Sequence, residues 1–293
     1  MPLTKSTETQ PDIPAGGGKL ILVGAGPGDP DLISIKGAKA LARADVVLYD
    51  TLSHPDLLDY APPRAEKIYV GKKAGSSQNS QESTNDLIVR KANEGKCVVR
   101  LKGGDPFIFG RGHEELCHAR DHDIPVEIVP GISSCTSVGE LQGIPLTKRG
   151  VNESFWVTTG VTRNGTVSKD VKLAARSSAT VAILMGMRKL PEITQIFRNH
   201  GGADTPVAVI QKGSLPGEKI ALGTVDTIVD EVRKNELTNP VLIIIGDVVR
   251  LHPDFCNSQK KWRGKQDIVF SAFNSSYREI TEYMRVGISA LNF

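Results

Sequence analysis

Three glycine loops carry the first chemical signal in this sequence. Gly24-Ala25-Gly26-Pro27-Gly28-Asp29-Pro30 follows an apolar run at 19–23. Leu101-Lys102-Gly103-Gly104-Asp105-Pro106-Phe107-Ile108-Phe109-Gly110-Arg111-Gly112 closes another at 97–101, and Pro130-Gly131-Ile132-Ser133-Ser134 follows a third at 126–129. Glycine has no Cβ, so the backbone of such a loop can approach a ligand closely. In open α/β sheets ligands sit beyond the carboxyl ends of the strands. A dinucleotide fingerprint fails in detail, because G-x-G-x-x-G needs glycine where Asp29 stands, and a carboxylate beside a pyrophosphate is repelled. Pro27 and Pro30 also delay the helix whose N-terminus would meet the phosphates. An NAD-dependent oxidoreductase is therefore the disfavoured reading from another enzyme class. The three loops instead outline one pocket for a polar ligand met by backbone N–H and C=O groups.

Other arrangements are weaker. Cys117, His118 and His122 lie close together, with the histidines at i, i+4. A solvated helix face is preferred there over a zinc site, and no metal is expected. No Gly-x-Ser-x-Gly nucleophile elbow is present.

The elements that must position these loops alternate. Strands are expected at 19–23, 45–49, 67–70, 97–101 and 126–129, with helices at 33–44, 81–94 and 112–121. Several strands are near-continuous apolar runs, which suits a parallel sheet buried on both faces. Ser133 or Ser134 is placed to cap a further helix. Strands follow at 155–159, 180–185, 206–211, 219–222 and 241–245, with helices at 191–199 and 225–235. Gly143, Pro145 and Gly150 interrupt regular structure between the two sets.

The expected organisation is α/β: a disordered leader over 1–18, one α/β domain over 19–148, a second over 149–251, and an extension over 252–293. In that extension Tyr277, Ile280, Met284, Ile288 and Leu291 recur at helical spacing and predict a short amphipathic helix. The length of 293 residues gives a prior of about two domains. A net charge of +3 argues against nucleic acid and allows an anionic small molecule. Four scattered cysteines fit reduced thiols in a cytoplasmic protein, and no apolar stretch is long enough to span a membrane.

With these residues in order, the sequence resembles the S-adenosylmethionine-dependent tetrapyrrole methylases. The likeness covers residues 19–250 and rests on Gly24–Pro30, Tyr49-Asp50, Val70-Gly71-Lys72, Val99–Gly112 and Pro130-Gly131. It implies two α/β domains with the active site in the cleft between them, in a homodimer. It implies two C-methylations of uroporphyrinogen III, at C2 and C7, giving precorrin-2. A relative acting on a later corrin precursor is the alternative. By position it places S-adenosylmethionine against Pro27, Gly103, Gly104, Asp105, Ile108, Ser133, Ser134, Met185 and Gly213. Asp50 falls where the family has a proposed proton acceptor, and Lys72 where it has a proposed donor. The substrate carries eight carboxylates, for which Arg111 and Arg149, beside the cleft loops, are the candidate cations. Ser133-Ser134 replaces the more usual Thr-Ala, and His113 stands where glycine is common.

Overall fold

The computed structural model describes residues 17–71 and 81–258, apart from the side chains of 256–258. Strands β1 (Lys19–Gly24), β2 (Val46–Tyr49), β3 (Glu66–Tyr69), β4 (Cys97–Lys102) and β5 (Val126–Val129) form an all-parallel sheet in the order β3-β2-β4-β1-β5. Their side chains alternate between two apolar layers, as the period of two requires. Ile21, Val23, Val47, Val99 and Leu101 pack with Ala40 and Leu41 of α1 (Ile35–Leu41). Leu20, Leu22, Leu48 and Val98 pack with Ile88 of α2 (Gln81–Asn93) and with Leu116 and Ala119 of α3 (Gly112–Arg120). Each fully buried aliphatic side chain contributes about 1.5–3 kcal/mol.

Strand order explains the clustering of the glycine loops. β4, β1 and β5 are neighbours and run the same way. The loops that leave their carboxyl ends must therefore emerge side by side.

The second sheet is built differently. It contains β6 (Phe155–Thr159), β7 (Thr180–Leu184), β8 (Pro206–Gln211), β9 (Lys219–Thr224) and β10 (Val241–Ile245), in the order β6-β7-β10-β8-β9. Only β6 and β7 pair in parallel; β10 runs against both β7 and β8, and β9 against β8. One face packs on α5 (Lys169–Ala174), α6 (Leu190–Asn199) and α7 (Ile228–Lys234) through Val171, Ile193, Phe197 and Ile228. The chain carries α4 (Ser134–Leu141) from the end of β5 onto β7 and β10. A Cβ at Gly139 of α4 would stand 2.6 Å from Ile244 Cδ1 in β10, so a larger residue there would force that side chain to shift.

Both sheets lie in one contact unit that runs to His252, and the residues from Pro253 form a second unit whose described part is α8 (Pro253–Ser258). Helix α1 starts later than its expected 33–44, because Ser34 Oγ accepts from Gly37 N at 3.1 Å and sets the first turn there, and it ends earlier, at Leu41. Neither α5 nor α8 was anticipated: at six residues each they are too short to show a periodicity. Of the expected leader over 1–18, residues 1–16 lie outside the described residues, as does the expected amphipathic helix over 277–291.

Candidate functional site

The three loops meet backbone to backbone. Gly104 N donates to Gly26 O at 2.7 Å, and Ala25 N to Lys102 O at 2.8 Å. A Cβ on Gly24 would fall 2.4 Å from Gly131 Cα, and one on Gly131 would fall 2.3 Å from Gly104 O. Side chains at these positions would drive the loops apart. Asp105 completes the stitching: Oδ1 accepts from Phe107 N at 2.8 Å and Oδ2 from Gly131 N at 3.0 Å. Asp29 Oδ1 accepts from Asp31 N within its own loop, while Asp29 N donates to Ser214 Oγ at 3.0 Å in the β8–β9 turn. The first loop is thereby tied to the second sheet.

Over this junction lies a cavity of about 530 Å³. Pro27, Gly28, Gly103, Gly104, Asp105, Ile108, Ser133 and Ser134 line it from the first half of the chain. Leu184, Met185, Ile210, Lys212, Gly213 and Asn239–Leu242 line it from the second. The antiparallel entry of β10 explains the second set, since Leu242 pairs with Leu184 and Val241 with Gln211. The start of β10 thus sits beside the ends of β7 and β8. Backbone strain collects here too. Phe109, Met185 and Lys212 line the cavity at φ of 54°, 57° and 51°, and Arg111 and Ser214 flank them at 60° and 68°. Non-glycine residues persist at such angles only where their surroundings hold them.

A charge cluster abuts the cavity behind Asp50. Arg100 and Lys102 lie two apart on β4, so both face the layer of α2 and α3, and both are buried. Arg100 Nη2 donates to Asp50 Oδ2 at 2.9 Å and Nε to Glu115 Oε1 at 3.2 Å; Lys102 Nζ donates to the same Oε1 at 3.0 Å. Asp50 Oδ1 accepts from Leu52 N at 3.1 Å, and Leu52 lines the cavity. Burial, and next the neighbouring Arg100, push the Lys102 ammonium below the ordinary lysine value, while Glu115 pulls it back. Breaking such a buried pair from one side typically costs about 3–5 kcal/mol.

Each expected donor-contact residue lines the one cavity: Pro27, Gly103, Gly104, Asp105, Ile108, Ser133, Ser134, Met185 and Gly213. Ser133 occupies the N-cap position of α4, but its hydroxyl makes no capping bond and lies 3.1 Å from Cys135 Sγ. Asp50 is not itself a lining residue; its side chain is 22% exposed, and it directly precedes the lining residues Thr51 to His54. Lys72 falls outside the described residues. Arg111 is half-exposed and held by Glu114 at 2.6 and 2.7 Å, and Arg149 is exposed; neither lines the cavity, although Gly110 does. His118 and His122 stack at 4.7 Å, and His118 faces Asp86. Among the described residues no three or more His, Cys, Asp or Glu are grouped to hold a metal. No described helix is long and apolar enough to cross a membrane.

The sequence reading missed Lys212, His54 and 239–242 as lining residues, and Arg100 and Glu115 as partners of Asp50. A signal for Arg100 existed. Two cations at spacing two inside the buried run Val98-Val99-Arg100-Leu101-Lys102 must share a face and need a buried counter-charge.

The family model described as tetrapyrrole (corrin/porphyrin) methylases matches residues 19–229. The chain is 47% identical over 236 residues to a uroporphyrinogen-III C-methyltransferase of Methanocaldococcus jannaschii, covering 80% of this chain and 98% of that protein. It is 43% identical to a siroheme synthase of Nitrosomonas europaea, but spans only 50% of that longer protein and 80% of itself. A solved structure of uroporphyrin-III C-methyltransferase from Thermus thermophilus, complexed with S-adenosyl homocysteine, superposes with a TM-score of 0.69 at 38% identity, covering 80% of this chain and all of that one.

Proposed function

The chain belongs to the tetrapyrrole (corrin/porphyrin) methylases, and on that premise we propose that it methylates uroporphyrinogen III at C2 and C7 with S-adenosylmethionine, giving precorrin-2. The observation that carries this reading is the single cavity where three glycine loops of one sheet face the strand ends of the other. The residues fit the donor. Ile108, Val138, Leu184, Met185 and Leu215 offer apolar walls for an adenosyl group, and Ser133, Ser134, Asp105 and the open backbone of Gly103-Gly104 offer polar contacts. The cavity volume also lies in the ordinary range for a small-molecule site.

When bound, S-adenosylmethionine supplies a methyl group already activated on a sulfonium, so the chain needs no nucleophile of its own. Its part is alignment, which can be worth roughly 7–11 kcal/mol. The pyrrole carbon that accepts the methyl group leaves a cationic ring that must lose a proton. Asp50 is suited to take it, because its carboxylate is fixed by Arg100 and Leu52 yet stays partly exposed, next in sequence to the lining residues Thr51 and Leu52. Lys72 is assigned the complementary donor role. Arg111 and Arg149 are assigned to substrate carboxylates, each within reach of solvent rather than of the cavity floor. The same reading makes the protein a homodimer, which sedimentation of the purified chain tests directly, and places it in the cytoplasm, which cell fractionation tests.

The deciding assay is anaerobic incubation with S-adenosylmethionine and uroporphyrinogen III, followed by absorbance and mass. Two added methyl groups are expected. Donor binding with no methyl group added to this substrate, while a later corrin precursor is methylated, would retire the substrate assignment and keep the family.

A further inference from the structure

Glu115 has a side chain with no exposed surface, and the chemistry above does not use it. It sits on α3 against Arg100 and Lys102 of β4, away from the cavity lining. Three donors converge on one of its oxygens. Gln81 Nε2, Arg100 Nε and Lys102 Nζ reach Oε1 at 3.1, 3.2 and 3.0 Å, while Oε2 is buried with no hydrogen-bond partner among the described residues. A carboxylate serving only as counter-charge gains most by spreading donors over both oxygens, since each can accept two. Crowding on Oε1 instead fixes where the Arg100 Nε must lie.

The guanidinium then has little freedom, because its donors form a planar, rigid fork. Nε is held by Glu115 and Nη1 by Leu101 O at 2.7 Å, which leaves Nη2 directed at Asp50 Oδ2 at 2.9 Å. We propose that Glu115 is a positioning residue for the proton-removal step: it fixes Arg100, and Arg100 in turn fixes the Asp50 carboxylate, which also accepts from the cavity-lining Leu52. The proposal rests on the reading of Asp50 as proton acceptor. Glu115 also shares the charge of Arg100. Without it Asp50 becomes the sole carboxylate partner of that guanidinium, and the guanidinium is no longer held at Nε.

The experiment is a double-mutant cycle on this chain, reading transfer as single-turnover formation of the methylated, deprotonated product by absorbance, and donor affinity by calorimetry. Glu115→Gln is expected to slow transfer on the order of ten-fold, with donor affinity within about two-fold of the parent. Asp50→Asn slows transfer more. The double variant is expected to be no slower than Asp50→Asn alone, because Glu115 acts only through Asp50. Should the two losses multiply, Glu115 has a separate structural role and the proposal falls while the Asp50 assignment stands. Should Asp50→Asn turn over like the parent, both fall. If Glu115→Gln does not fold, Gln81→Met removes one Oε1 donor and leaves every charge in place. A smaller slowing that vanishes in the Asp50→Asn background supports the proposal, and a slowing that persists there overturns it.

Discussion

The two sheets face the same cavity with different materials. The first sheet brings loops from the carboxyl ends of parallel strands, and behind them it buries Arg100, Lys102 and Glu115. The second brings strand ends with largely apolar side chains, Leu184, Met185, Ile210 and Leu242, and its buried polar groups are neutral ones such as Thr158, Thr180 and Gln211. Charge that must be aimed calls for a rigid buried frame, and the all-parallel sheet covered on both faces supplies it. A ligand wall calls mainly for shape and apolar area, which a mixed sheet supplies as well. The contrast assigns proton handling to the first half alone, while donor retention draws on both halves.

The sharpest test of that division is Asp50→Asn. Turnover is expected to fall roughly 10²–10⁴-fold, the usual contribution of a positioned base, with donor affinity measured by calorimetry unchanged. Equal loss of both would make Asp50 a structural residue. A smaller effect is expected from the opposite wall. Met185→Ala removes apolar contact and should weaken donor binding about ten-fold, while single-turnover transfer at saturating donor stays near the parent rate. A slowed transfer step with intact affinity would erase the distinction between the halves. The smallest effect on the fold is expected from Arg111→Ala. Arg111 and Glu114 form an exposed pair, so thermal unfolding should report a change of under about 1 kcal/mol. Its assigned contact with substrate carboxylates predicts a raised KM for the porphyrinogen alone, and an unaltered KM removes that assignment.

Much of this was legible before any coordinates. The runs at Phe155–Thr159, Pro206–Gln211 and Val241–Ile245 coincide with their expected strands, because β-branched and aliphatic residues bounded by turn formers leave few other conformations. Helix α5 was not legible, since six residues cannot display an amphipathic period. The capping role expected of Ser133 was legible only as a position: the helix begins there, but the hydroxyl turns to Cys135 instead.

Sequence alone determined the alternation of strands and helices, the glycine loops at the strand ends, and the failure of a dinucleotide fingerprint at Asp29. Each of these depends on residues within a few positions of one another, where local sterics decide. Only the tertiary structure decided that β10 runs against β7 and β8, bringing residues 239–242 to the cavity, and that Glu115 lies under Arg100. Periodicity fixes which face of an element a side chain occupies. It does not fix which distant element covers that face, because that choice is made by packing the whole chain at once.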